Sequence, residues 1–223
     1  MSSILVYRDK ATACAAAATL VAACIIEKPA SVLGLDWVPE LQPIYRTVAR
    51  MTSDGLLDWG CVKTFNLYEH VRADADNAVF AKLDETLFSK VNLPEENRFA
   101  PNAAGSDWSV VCNDYENAIL NTGGIDTVLC AIRSDGSVAY NLGASELAPV
   151  THVERTEAGR VVTIGMTTLM SAKRIIAVML GADKAGMASM VLNGSIVPSV
   201  PASYLQLHAN AVFLLDESAA DNI

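Results

Sequence analysis

Basic residues are scarce: 16 Lys and Arg stand against 25 Asp and Glu, leaving a net charge of -9. That balance is a poor match to phosphate backbones, which are held mainly by Lys and Arg, and it excludes nucleic acid as a bulk-charge partner. A small anionic ligand stays open, because one lysine or one helix N-terminus holds it against the global field. Histidine is scarcer still: His70, His152 and His208 are the only three and are widely scattered. No histidine-rich metal site is available, and neither a metal nor a cofactor is expected. Cys14, Cys24, Cys61, Cys112 and Cys130 are odd in number, have no CxxC spacing and sit mostly in apolar segments. They read as small hydrophobes in a reducing cytoplasm.

Aromatic residues make up only 6% of the chain, whereas 52% is hydrophobic, a composition that suits a compact α/β protein rich in Ala, Val, Leu and Ile. Internal repeats, low-complexity tracts and Pro/Gly/Ser linkers are absent, so 223 residues read as one domain, 1–223. One long apolar run, Ala11 to Ile26, follows Arg8 and Lys10 and imitates a signal peptide. The preceding "ILVY" reads as a strand and Asp9 as a helix N-cap, which turns the run into a buried first helix; no membrane partner is expected.

What is present is alternation. Short strand-like runs at Ile4–Tyr7, Ser31–Leu35, Val62–Leu67, Ile125–Ile132, Arg174–Leu180 and Ala211–Leu215 are often apolar at successive positions, as in strands covered on both faces. Helical segments near Pro39–Thr52, Asp76–Lys90, Asp107–Asn121 and Asp183–Leu192 separate them, with Gly123 and Gly124 stopping the third and Asp183 starting the fourth. The predicted fold is a Rossmann-like, doubly wound α/β domain with a mostly parallel sheet and helices on both faces.

In order and spacing, "ILVYRDK…KPASVLGL", "VKTFNLYEHV", "YENAILNTGGIDTVLCAI", "SDGSVAYNLGASEL" and "GADKAGMASMVLNGSIVPSVPASYLQLHANAVFLLDESAA" resemble the glucosamine-6-phosphate deaminase/isomerase family over nearly the whole chain. The C-terminal third is the most specific, since GxxKA, PASxLQLH and DE recur there together. The resemblance implies a Rossmann-like sheet, homo-oligomerisation and conversion of glucosamine 6-phosphate to fructose 6-phosphate and ammonia.

The chain departs from the family at each chemical station. Where relatives carry a TGSTP phosphate cradle, this chain has Trp37, Val38, Pro39 and Glu40. Pro39 has no amide hydrogen to donate. If Glu40 faces inward, its charge about 4 Å from a phosphate charge costs about 4 kcal/mol at an effective dielectric of about 20; a solvated Glu40 favouring the helix dipole is the other reading. In the family's DGHIAFNEP loop, Asp135 is kept while Ser137 replaces the ring-opening histidine and Leu142 the glutamate. In the FNxDEY element, Tyr68 takes the place of the proton-moving aspartate, next to Glu69. A phenol with a pKa of about 10 is a feeble base at pH 7.

The candidate catalytic residues are therefore Asp135, Tyr68, Glu69 and Ser137, and the candidate substrate-binding residues Lys184, Arg133, Trp37 and Glu40. Lys184 keeps the family's phosphate-reaching position, and Arg133 stands where relatives usually have Gly. Asp135 also reads as a turn former before Gly136, His208 as scaffold, and His70 as a substitute base. Near 149–163 the lid region is shortened.

Three functions compete. One is a divergent member without standard deaminase activity, keeping a small carbohydrate-like ligand or partner. The second is an active amino-sugar-phosphate deaminase or aldose-ketose isomerase using substitute residues. The third, a sugar-sensing repressor domain, lacks support because the chain opens directly in the fold with no helix-turn-helix. The expected partner is a small sugar or sugar phosphate.

Overall fold

The computed structural model describes residues 2–71, 78–144, 146–157 and 159–223. Seven strands form one parallel sheet: β1 (Ser3–Tyr7), β2 (Val32–Leu35), β3 (Lys63–Asn66), β5 (Arg98–Phe99), β6 (Thr127–Ala131), β9 (Arg174–Met179) and β10 (Ala211–Asp216). Their order is β1-β10-β9-β6-β2-β3-β5, with every neighbouring pair parallel. The central strands β2, β6 and β10 are buried at every position, whereas the edge strand β1 is largely exposed. The uninterrupted apolar runs have this cause, because a strand sandwiched between helices has no polar side to show. The doubly wound parallel class expected from the sequence is the class found.

Helix α1 (Lys10–Glu27) starts where Asp9 accepts the Thr12 amide at 2.7 Å. It is long and apolar enough to cross a bilayer. In the fold it buries Ala13, Ala17, Ala18, Val21 and Ile25, among others, and packs on β6, β9, β10 and the next helix. That helix, α2 (Gln42–Ser53), follows a 3-10 turn at Pro39–Leu41. Next come α3 (Val79–Thr86), α4 (Trp108–Asn121), α5 (Met166–Met170) and α6 (Ala185–Asn193). The start expected at Asp76 lies among 72–77, outside the described residues; the helix described, Val79–Thr86, ends before the expected Lys90, with a separate 3-10 turn at Phe88–Lys90. Asp183 does not start α6 as expected; it lies in a 3-10 turn, Ala182–Lys184, that leads into the helix.

A second sheet has no counterpart in the sequence reading. Strand β4 (Tyr68–Val71) pairs antiparallel with β8 (Gly159–Thr163), which pairs antiparallel with β7 (His152–Thr156). The stretch read as a shortened lid is thus a hairpin joined to the strand that carries Tyr68 and Glu69.

Connections from β2 run outward through β3 to β5, while those from β6 run the other way through β9 to β10. The order reverses between β2 and β6, and in open parallel sheets ligands bind in the crevice beyond the carboxyl ends of strands at such a point. Asp36 and Trp37 leave β2 there, and Arg133 leaves β6.

Candidate functional site

Two neighbouring hollows share Pro39 at this end of the sheet. The smaller, of ≈ 240 Å³, is lined by Trp37, Tyr68, His70, Lys82, Arg133 and Tyr140 among others. The larger, of ≈ 540 Å³, is lined by Lys10, Cys14, Glu40, Leu180, Asp183 and Lys184 among others.

Glu40 faces inward. Lys184 Nζ donates to both its oxygens, at 2.7 Å to Oε1 and 2.5 Å to Oε2, and the Leu180 amide donates to Oε1 at 3.2 Å. The Lys184 side chain is 8% exposed and that of Glu40 24%, so the pair is shielded from water's full screening. The solvated alternative for Glu40 is overturned: the 3-10 turn begun by Pro39 aims its carboxylate at the one buried ammonium within reach. The Gly181 amide is also taken, donating to Asp216 Oδ1 at 2.8 Å. Lysine and amides that would greet an outside anion already hold carboxylates of the chain.

In the loop after β6, Asp135 Oδ1 accepts from Ser137 N at 2.9 Å and from Ser137 Oγ at 2.6 Å, closing a turn around Gly136 (φ 79°). Asp135 is the turn former of the alternative reading, and Ser137, fully buried, lines neither hollow. Both therefore sit on one turn, the serine bonded to the carboxylate beside it. The next residues, Ala139 and Tyr140, take left-handed φ values of 50° and 59°. Such backbone costs about 1 kcal/mol or more per non-glycine residue, and here it turns Tyr140 toward the smaller hollow.

Glu69 is turned to the backbone. Its oxygens accept the amides of His70 at 2.9 Å, Val79 at 2.6 Å and Phe80 at 2.9 Å, so it caps α3, whose own N-cap Ala78 has nothing to offer. Burial raises its pKa, and the three amide bonds only partly offset that. Tyr68, on the opposite face of β4, donates its hydroxyl to the Trp37 carbonyl at 2.5 Å. Burial, reinforced by Asp36, holds the phenol well above its ordinary pKa, which makes it a donor and not a base near neutrality.

Arg133 and Trp37 do meet. The guanidinium lies 4.1 Å from the Tyr140 ring centroid and 5.7 Å from that of Tyr68. Burial opposes its charge, but Asp36, Tyr68, Tyr140 and Asp135 together outweigh burial and keep it a cation. Asp36 is fully buried, with Oδ2 accepting the Ala131 amide at 3.0 Å. Lys82 lies 4.6 Å over the Trp37 ring. The sequence reading missed Lys82, Tyr140 and Asp36. Lys82 sits on a helix remote in sequence, Tyr140 depends on positive φ angles that no glycine advertises, and Asp36 is hidden by the aromatic beside it. His208 is scaffold, as read: it is buried, with Nε2 2.7 Å from the Ala172 carbonyl. Among the described residues no cluster of three His, Cys, Asp or Glu side chains is placed to hold a metal.

The reversed strand order, with Asp36, Trp37 and Arg133 leaving the strand ends, defines a doubly wound α/β protein with its candidate site at the switch point. A family model described as glucosamine-6-phosphate isomerases/6-phosphogluconolactonase matches residues 39–214, and the chain belongs to that family. The glucosamine-6-phosphate deaminase of Clostridium novyi is 30% identical, covering 99% of both chains. That of Clostridioides difficile is 30% identical over 99% of this chain and 96% of its own. Among solved structures, a monomeric glucosamine-6-phosphate deaminase superposes with a TM-score of 0.94 at 26% identity, covering 99% of this chain and 100% of the other. The 6-phosphogluconolactonase of Trypanosoma brucei shares the fold, with a TM-score of 0.80 at 21% identity over 100% and 99%.

Proposed function

We propose that the strand-end cleft binds a small carbohydrate-like ligand and that the chain does not carry out standard glucosamine 6-phosphate deamination. The observation that carries this reading is the clasp of Lys184 on Glu40. A phosphate entering there meets an ammonium whose charge a fixed carboxylate already matches, so the pair offers it little net attraction. Proton transfer is poorly provided for, because Asp135, Ser137 and Glu69 are bound to their own loop or helix and Tyr68 is held protonated, leaving the substitute base His70 on the wall of the smaller hollow. Losing one positioned acid or base costs about a hundredfold to ten-thousandfold in rate.

A second reading, an active amino-sugar-phosphate deaminase or aldose-ketose isomerase working through substitute groups, is favoured by the names of its relatives. Those names, on proteins 30% identical over nearly the whole length, weigh more for this reading than for the first; the site geometry weighs the other way. The protein is taken to work in a reducing cytoplasm, in keeping with five free cysteines. The monomeric state of the solved deaminase favours a monomer over the expected homo-oligomer.

Purified protein incubated with glucosamine 6-phosphate, with ammonia and fructose 6-phosphate followed, separates the two. No release of either product is expected, while a thermal-shift panel of sugars and sugar phosphates shows selective stabilisation. Turnover that disappears in Tyr68→Phe would establish the second reading instead.

A further inference from the structure

Of Lys184 and Arg133, one is satisfied and one is not. Lys184 has both oxygens of Glu40, whereas neither terminal nitrogen of Arg133 has a hydrogen-bond acceptor among the described residues, although both are buried. Buried donors in folded proteins nearly always have partners, and an unpaired charged one marks a place where an acceptor is wanted. Asp36 lies near the guanidinium but does not bond to it, its Oδ1 being likewise unpaired.

We propose that the Arg133 hollow holds the carboxylate of a small sugar acid. This rests on the reading of the cleft as a carbohydrate site and names the group by which the ligand is held. The two terminal nitrogens of a guanidinium lie in one plane at the spacing of two carboxylate oxygens and grip them in parallel. Lys82, on the wall of the same hollow, adds a second positive charge, and the indole Nε1 of Trp37, buried without an acceptor, offers a donor to a hydroxyl. The rings of Trp37, Tyr68 and Tyr140 supply flat apolar faces for the C–H side of a sugar. A volume of ≈ 240 Å³ falls below the roughly 300–1,000 Å³ of drug-sized sites and suits a single sugar unit.

Phosphate is the competing oxyanion. The Arg133 fork and Lys82 suit it as well, but the donors of the neighbouring hollow that would complete a cluster around it are spent: the Leu180 amide on Glu40, the Gly181 amide on Asp216 and the Lys184 ammonium on Glu40, while Pro39 has none. A carboxylate needs only the Arg133 fork. Because the terminal nitrogens are covered, the ligand reaches them by displacing a wall side chain, and two unpaired donors favour that displacement.

Calorimetric titration of the full chain with D-glucuronate, D-gluconate, D-glucose and inorganic phosphate tests this, with intrinsic fluorescence, to which Trp37 contributes, as a second readout. Glucuronate or gluconate is expected to bind at least tenfold more tightly than glucose or phosphate. Arg133→Met, which keeps the apolar stem, is expected to weaken the acid about ten- to a hundredfold, and Arg133→Lys to recover part of the loss. Thermal melts of both variants confirm folding. Acid binding that Arg133→Met leaves unchanged, or phosphate binding more tightly than either acid, overturns the proposal. Glucose binding as well as the acids overturns the carboxylate while leaving the carbohydrate cleft standing; no binding by any sugar in the panels overturns both.

Discussion

Glu69 shows how a residue can look chemical and be architectural. Its carboxylate spans three amides at the mouth of α3, a job normally done by a capping side chain on the helix itself. Glu69→Ala leaves those donors without their acceptor and is expected to cost about 1–3 kcal/mol of unfolding free energy, read by urea denaturation. A change in ligand affinity without a change in stability would contradict the capping role. The sequence showed which residue types stand at each station, and Trp37, Tyr68 and Arg133 do meet at one hollow. It did not show which groups were already spoken for. Asp135 and Ser137 are spent on each other, and Glu69 on a helix start ten residues away, pairings set by backbone turns that a linear reading does not see.

At the scale of elements, all six predicted strands and all five predicted helices have counterparts, because continuous apolar runs and caps such as Asp9 and Asp107 carry strong local signals. The three-stranded sheet was illegible for the opposite reason. Strand β7 is half-buried or exposed throughout and β8 buries three successive residues, so neither shows the in–out alternation of a one-sided strand.

Asp126, just before β6, ties elements at the far end of the sheet. It accepts Lys28 at 2.6 Å, Lys173 at 2.7 Å and the Val32 amide at 2.8 Å. Burial alone would raise its pKa, but the bonds from Lys173, Lys28 and Val32 outweigh burial and lower it. A carboxyl with a depressed folded pKa stabilises fully above the ordinary range near pH 4 and loses that contribution as pH falls through the lower folded value. Asp126→Asn is therefore expected to be less stable than the parent at pH 7, by about 1–3 kcal/mol. The gap should close as urea melts are repeated down to pH 3 and below; a gap that holds constant with pH would exclude the ionic contribution.

For the whole molecule, the thiols report on how the chain opens. Cys61 is exposed and Cys112 half-buried, while Cys14, Cys24 and Cys130 are buried. Burial, with help from Glu40 and Asp216, pushes Cys14 up to about 11, and burial raises Cys130 further. Reaction with a disulfide reagent at pH 8 is expected to label Cys61 quickly and Cys112 more slowly, because the thiolate is the attacking species. The remaining three should react only at the rate of unfolding. Fast labelling of all five in native buffer would refute the packing of α1 against the sheet.

The Lys184–Glu40 clasp has a consequence for how this end of the molecule behaves. A rim that waits for a guest to neutralise it is orderly only when the guest is home. Here the latch is part of the chain and closes during folding, so the rim beyond the ends of β2 and β9 stands finished in advance, and the rearrangement an arriving molecule induces is left to the Arg133 side.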